Sequence, residues 1–397
     1  MNNHEKRINY AHPVTAIIAD LEVFFNLKIE KYSGLLKDKK IIIFGAGTRG
    51  TQLLLILEKH GYKNIIFCDN NHEKLNGHMN GYPILSFSES LKEENKMFLM
   101  PVEDGNLIIQ QLINAGLKEE VDFINMEFNL YDEYLKEFKR PVTNHTLIFG
   151  DCAFSHVSIN DDNKISLGDM IKNKYGVDNC KILAMHGMGT RSFYHITKAL
   201  IKNGEHPKSI MVEIHPMMMA PKAYIMPRTQ HPKLIKMIKN TLSINDDELD
   251  EYVTITQERF NRFQIETSSM FNESNLYNNS KLYMKMNYMY TINNTNERII
   301  YLKNLIIYLN NLLIPVILYI PPLNYKYGES IWGENLTYLY KKIYNDLWSI
   351  LNNVKYKIAD ASFLFSESDF AAVNNHDEMA NFNGRLKLLD FLDEYIK

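Results

Sequence analysis

Cysteine is scarce in this sequence. Cys68, Cys152 and Cys180 are the only three in 397 residues, too few and too scattered for a disulfide framework, and no C-x-x-C pair suggests a zinc site. A reducing compartment is the expectation. A charge excess is missing too: 44 Lys and Arg stand against 47 Asp and Glu, a formal net charge of −3. That removes the basic surplus of phosphate-tracking proteins, so nucleic acid is not an expected partner. Long apolar runs are absent as well. The most apolar stretch, Ile299 to Ile320, is interrupted by Lys303, Asn304, Asn310, Asn311 and Pro315, which argues against a membrane span. The first thirty residues contain Glu5, Lys6, Arg7, Asp20 and Glu22 without the apolar core of a secretory signal. Together these absences predict a cytoplasmic protein.

What is present is ordinary globular material, 45% hydrophobic and 23% charged, enough apolar content to fill real cores. At about 150 residues per domain the length predicts two or three domains. Residues 1–38 read as a helical lead-in, with Ile17, Ile18, Leu21, Phe24 and Phe25 at roughly helical spacing. Ile41-Ile42-Ile43-Phe44 is a short continuous apolar run of the kind buried on both faces of a parallel sheet. A glycine turn, a helical pattern (Leu53, Leu54, Leu55, Leu57) and a second strand, Asn64 to Cys68, complete a βαβ unit. Further strands are expected at 82–85, 97–100 and 121–124, with a helix near 107–115.

Around Lys139-Arg140-Pro141 the chain turns polar, and a new series starts with Thr146-Leu147-Ile148-Phe149. Strands at 181–185, 209–214 and 315–320 follow, with helices near 192–202 and from Gly384 onwards. The fold class expected is α/β, two three-layer α/β/α domains with mainly parallel sheets. The first occupies 39–140 and the second 141–397, the latter with a helical and polar insertion at about 230–312 that suits either a lid or a dimer interface.

Gly45-Ala46-Gly47-Thr48-Arg49-Gly50 is a G-x-G-x-x-G between a strand and a helix, and Asp69 ends the next strand. Gly45 suits a tight turn, Gly47 a close approach of phosphate to backbone, and Gly50 close helix packing, while Asp69 could accept from a ribose hydroxyl. The plainer reading is that the glycines only make a strand-to-helix turn and that Asp69 caps it. The segment Ile41 to Ser86, with Asp69-Asn70-Asn71, Gly77 and Gly81-Tyr82-Pro83-Ile84-Leu85, resembles the small Rossmann-like domain at the N-terminus of sugar O- and N-acyltransferases of the PglD/NeuD type. That resemblance covers about a quarter of the chain. It implies a nucleotide or nucleotide-sugar ligand on Gly45, Gly47, Gly50 and Asp69, with no cofactor required for chemistry. A nicotinamide oxidoreductase is disfavoured, since no Tyr-x-x-x-Lys accompanies the glycines.

The row Leu147-Ile148-Phe149-Gly150-Asp151-Cys152-Ala153-Phe154-Ser155 resembles the first block of the SGNH (GDSL-like) hydrolase superfamily, whose nucleophile follows a Gly-Asp at the end of the first strand. The resemblance implies a flavodoxin-like second domain with Cys152 at the nucleophile position, a residue that reacts as its thiolate. Ser155, one turn later, is a second candidate. Gly187 and Gly189 match the second block, whose backbone N–H helps form an oxyanion hole. The third block normally supplies an Asn, but here the chain reads Met211-Val212-Glu213-Ile214-His215-Pro216, and His215 either donates to an oxyanion or caps the strand. The last block, D-x-x-H before a Gly and a helix, is degenerate: counting back from Gly384 puts Met379 where the His is expected. Either His376 and Asp377, with Asp151, take over the base and orienting roles, or hydrolytic chemistry is lost.

His156 and His186 flank these blocks as weaker candidates. Met217-Met218-Met219 reads as packing, and His231, Asp246, Asp247 and Glu248 have no metal spacing, so no metal is expected. The favoured expectation is an acyl esterase or acyltransferase of surface-glycan metabolism acting through an acyl-enzyme at Cys152. Its partners would be a small-molecule or glycan substrate, with a homo-oligomer left open. The rival is a non-catalytic nucleotide-sugar-binding or scaffold protein.

Overall fold

The computed structural model describes residues 16–71, 77–102, 105–128, 130–158, 161, 163–185, 188–220, 232–242, 288, 290–371 and 380–397. The chain is α/β and forms two compact units, 1–130 and 131–397. Gly187, His186, His231, Asp246, Asp247, Glu248, His376, Asp377 and Met379 lie outside the described residues. Among the described residues no helix is long and apolar enough to cross a membrane.

In the first unit, Ala16–Ile18 is extended rather than helical, as two adjacent β-branched residues favour, and helix α1 spans Ala19–Leu36. The sheet is built from β1 (Lys40–Phe44), β2 (Ile65–Cys68), β3 (His78–Met79), β4 (Tyr82–Leu85), β5 (Lys96–Met100) and β6 (Phe123–Asn125), in the order β3-β4-β2-β1-β5-β6. All neighbours run parallel except the β3/β4 hairpin. The Ile41–Phe44 run is buried throughout because both faces are covered. Ile42, Phe44, Ile66 and Phe98 pack with Leu112 of α3 (Asn106–Asn114) on one face. On the other, α2 (Thr48–Lys59) buries Leu53, Leu54, Ile56 and Leu57 and lies against α1, tied by the Glu22–Lys59 ion pair.

In the second unit five parallel strands, β7 (Thr146–Gly150), β8 (Cys180–Ala184), β9 (Ser209–Glu213), β10 (Val316–Ile320) and β11 (Lys357–Asp360), stand in the order β8-β7-β9-β10-β11. Helices cover both faces. Ile148, Met211, Ile317 and Ala359 pack with α6 (Leu167–Tyr175) and the C-terminal helix Phe382–Ile396. Phe149, on the opposite face, stacks on Phe193 of α7 (Thr190–Lys202) at 5.0 Å. The helix Leu130–Lys139, here α4, belongs to this unit. Its Glu137 accepts the Ile182 N–H and pairs with Arg140 and Lys172.

The insertion expected at 230–312 is in part a covering layer. Helix Glu297–Asn311 buries Ile299, Leu302, Leu305, Ile306 and Leu309 and packs on α7. Its apolar residues recur every three or four positions, giving one buried stripe. Residues 243–287, between the helix Pro232–Leu242 and this one, lie outside the described residues.

Candidate functional site

In open α/β sheets ligands bind beyond the carboxyl ends of the strands, where neighbouring strands connect in opposite directions. In the second unit that point falls between β7 and β9, and the Gly150–Ser155 segment leaves the sheet there. Cys152 opens the four-residue helix α5 (Cys152–Ser155). Asp151 caps this short turn: its Oδ1 accepts the Ala153 N–H at 2.8 Å, the local side-chain-to-backbone bond that Asp makes readily.

The group that holds this turn is Glu213, the last residue of β9. Its Oε2 accepts the Asp151 N–H at 2.8 Å. Gly150 makes the approach feasible, since a Cβ there would sit 2.9 Å from Glu213 Oε2 and 2.3 Å from the Phe154 ring. Glu213 is 1% exposed. Burial, then the charge of Asp151, push its carboxyl well above the ordinary glutamate range. In the sheet register Glu213 lies opposite Tyr319, whose buried hydroxyl has no hydrogen-bond partner among the described residues and whose ring meets Phe154 edge-on at 5.8 Å. Burial first, and then Glu213 and Asp151, raise that phenol as well.

Ser155 has a partner that the sequence reading did not pair with it: its Oγ lies 3.0 Å from His156 Nδ1. A hydroxyl bonded to an imidazole is the starting geometry of a nucleophile and its base. Gly189 caps α7 without a side-chain bond, and a Cβ added to it would meet nothing within 4 Å. The segment leading to it is tied to the same turn, with the Met185 N–H donating to the Gly150 carbonyl at 3.3 Å. His215 is buried, its ring edge-on to Tyr288 and its Nε2 3.4 Å from the Tyr288 hydroxyl, the arrangement of a partnered core histidine.

The described residues on either side of 372–379 are held by their own contacts. Phe370 and Ala380 form an antiparallel bridge, Asn381 donates from its side chain to Ser368 and Phe370, and Arg385 is paired with Asp161 at 2.8 Å. Phe370 and Ala380 belong to the apolar cluster that contains Phe154. These flanking residues therefore share packing with the Gly150–Ser155 turn.

In the first unit Gly45, Gly47, Gly50 and Asp69 come together at the carboxyl ends of β1 and β2. Gly45 has φ +115°, and a Cβ on it would lie 2.7 Å from Val102 Cγ1. A Cβ on Gly50 would lie 2.0 Å from the Gly45 carbonyl oxygen. Gly47 differs from both: its φ is −111°, and a Cβ there would meet nothing within 4 Å. Its glycine is required by no atom of the described chain, and it caps α2, a helix N-terminus whose first-turn N–H groups favour an anion. Asp69 is committed to the turn. Its Oδ2 accepts the Ala46 N–H and its Oδ1 the Asn71 N–H, each at 2.8 Å. This is the capping role; each carboxylate oxygen keeps a second acceptor site. Cys68 beside it is a buried thiol whose burial pushes it up to about 12, so it is inert as a nucleophile.

Glu213 escaped the sequence reading although a signal was there. An acidic residue inside Ile210-Met211-Val212-Glu213-Ile214, a run apolar enough to be buried on both faces, is rare without a specific partner. Among the described residues no group of three or more His, Cys, Asp or Glu could hold a metal ion. The chain matches no family model, and a search of the curated proteins finds no match.

Proposed function

We propose that the second unit moves acyl groups, as an esterase or acyltransferase on a sugar or glycan precursor, through an acyl-enzyme at Cys152. The first unit would bind the nucleotide-linked part of that substrate. The observation that carries the reading is the exit of Gly150-Asp151-Cys152 at the β7/β9 switch point, where the turn is braced by a buried carboxyl group. The strand order β8-β7-β9-β10-β11, second-first-third-fourth-fifth, supports the SGNH-like, flavodoxin-like comparison. The order in the first unit, third-second-first-fourth-fifth for its parallel strands, supports the Rossmann-like one.

Chemically, the Cys152 thiolate adds to the acyl carbonyl, forming the C–S bond, and backbone N–H groups of the turn and of Gly189 or Gly187 stabilise the oxyanion. The base, His376 with Asp377 or Asp151 orienting it, takes the Cys152 proton to give that thiolate; collapse then breaks the C–O bond and the leaving alkoxide takes this proton from the base. Water or a sugar hydroxyl next gives its proton to the base and attacks the thioester; the C–S bond breaks and the departing thiolate takes the proton, restoring the thiol. The open space at Gly47, next to the α2 N-terminus, supports an anionic ligand in the first unit.

A second reading is favoured by the Ser155–His156 contact: the same chemistry with Ser155 as nucleophile and His156 as its base. Turnover of activated acyl esters by the wild type, Cys152→Ala and Ser155→Ala separates the two. Loss above 100-fold in Cys152→Ala alone supports the first, and loss in Ser155→Ala alone the second. No turnover in any of the three supports a binding protein without catalysis. Calorimetric titration with a nucleotide sugar and with NAD tests the first unit, with binding expected for the sugar nucleotide only.

A further inference from the structure

We propose that Glu213 is a positioning residue of this site: a buried carboxylic acid that keeps its proton in the folded protein and holds the Gly150–Cys152 turn through the Asp151 N–H. The bracing is a property of the fold, and its importance for acyl transfer rests on the reading of Cys152 above.

The case is geometric. Glu213 and Tyr319 stand side by side on neighbouring strands, on the sheet face that Met211, Ile148, Phe154 and the C-terminal helix fill with apolar side chains. An ionised carboxylate there would need a cation or several donors to offset its desolvation. Among the described residues it has one hydrogen-bond donor, the Asp151 N–H. The charge of Asp151, of the same sign, adds to the cost of ionising it. A protonated carboxyl group fits this setting, since it still offers an acceptor to the Asp151 N–H. The titratable groups facing this pair are Tyr319 from β10 and, behind it, Tyr340 from the helix Asn335–Ile350, so no described cation opposes the proton.

The sign of the pH effect follows. A group whose value is higher folded than unfolded contributes stability that is complete below the unfolded glutamate value, 4.5, and is lost as pH rises through the folded value. Glutamine copies the protonated acid, with an oxygen for the Asp151 N–H, but it does not titrate.

The experiment compares full-length wild type, Glu213→Gln and Glu213→Ala by infrared spectroscopy, by denaturant unfolding across pH 4.5 to 9, and by acyl-adduct formation. Expected are a protonated-carboxyl band at pH 7 in the wild type that is lost in Glu213→Gln, and a wild-type unfolding constant that rises relative to Glu213→Gln by up to about tenfold per pH unit. Glu213→Gln should form the adduct within about twofold of the wild-type rate, and Glu213→Ala at least about tenfold more slowly. Absence of the band, with parallel stability profiles for wild type and Glu213→Gln, overturns the proposal, as do equal adduct rates in Glu213→Gln and Glu213→Ala. If the band and the pH profile are found but the wild type forms no adduct, the protonated brace stands and the acyl-enzyme reading fails. Should Glu213→Ala not fold, the Glu213→Gln arm decides alone.

Discussion

The two units use one backbone device with two different carboxyl groups. In each, a glycine ends or directly follows the first strand, and the N–H of the next residue is accepted by an acidic side chain at or just past the end of a neighbouring strand: Ala46 by Asp69 and Asp151 by Glu213, both at 2.8 Å. Asp69 is half-buried and takes a second N–H from Asn71. Glu213 is enclosed, takes a single N–H and faces another carboxyl group. The tether inside the sheet is held as an acid because it is enclosed beside a like charge. The lesson is that the environment, rather than the latch, decides which turn can store a proton.

The sharpest way to break this parallel is through the glycines. Gly50→Ala drives a Cβ into backbone, 2.0 Å from the Gly45 oxygen, and should destabilise the first unit by about 3 kcal/mol, the upper end of overpacking costs. Gly47→Ala, with nothing within 4 Å, should cost less than about 1 kcal/mol while weakening any anionic ligand. Denaturant unfolding of the two variants checks both, and equal losses would contradict the assignment of Gly47 to a ligand. Gly150→Ala in the second unit meets side chains rather than backbone, Phe154 and Glu213, and a loss of about 2 kcal/mol is expected. A loss of the same size in Gly150→Ala/Glu213→Gln would show that the Phe154 ring sets it.

Amide substitutions sharpen the contrast further. Asp69→Asn replaces one of two accepting oxygens by an NH2 group, so one of Ala46 and Asn71 loses its acceptor, at a cost of about 1–2 kcal/mol. Glu213→Gln keeps every bond of the protonated acid and should be within about 0.5 kcal/mol of wild type near pH 4.5, becoming the more stable protein as pH rises. Thermal unfolding over a pH series checks this through a difference between wild type and Glu213→Gln that grows as pH rises.

Much of the architecture is readable from local pattern. Buried strands of four or five apolar residues, such as 41–44 and 65–68, followed by glycine turns announce parallel α/β units, and Gly45, at φ +115°, and Gly50, 2.0 Å from backbone, each require glycine. Strand order is less readable, because it depends on contacts between distant segments. Strand β11, Lys357-Ile358-Ala359-Asp360, is an edge strand with three of its four residues exposed, so it carries no apolar run to announce it. Helix Glu297–Asn311 hides its stripe among Lys303, Asn304 and Asn310 and reads as part of an insertion. At the sites, residue types are visible but their partners are not. Asp69 reads as a ribose acceptor or a cap, and its backbone partners Ala46 and Asn71 are visible only in the structure; Glu213 stands out in its apolar run, but its partner, the Asp151 N–H, does not.

The most direct test of the account is intact-protein mass spectrometry after brief exposure to an activated acyl ester, on wild type, Cys152→Ala and Ser155→Ala. The account predicts a single acyl adduct in wild type and Ser155→Ala that is absent from Cys152→Ala. An adduct that survives Cys152→Ala, or none in any of the three proteins, would contradict it.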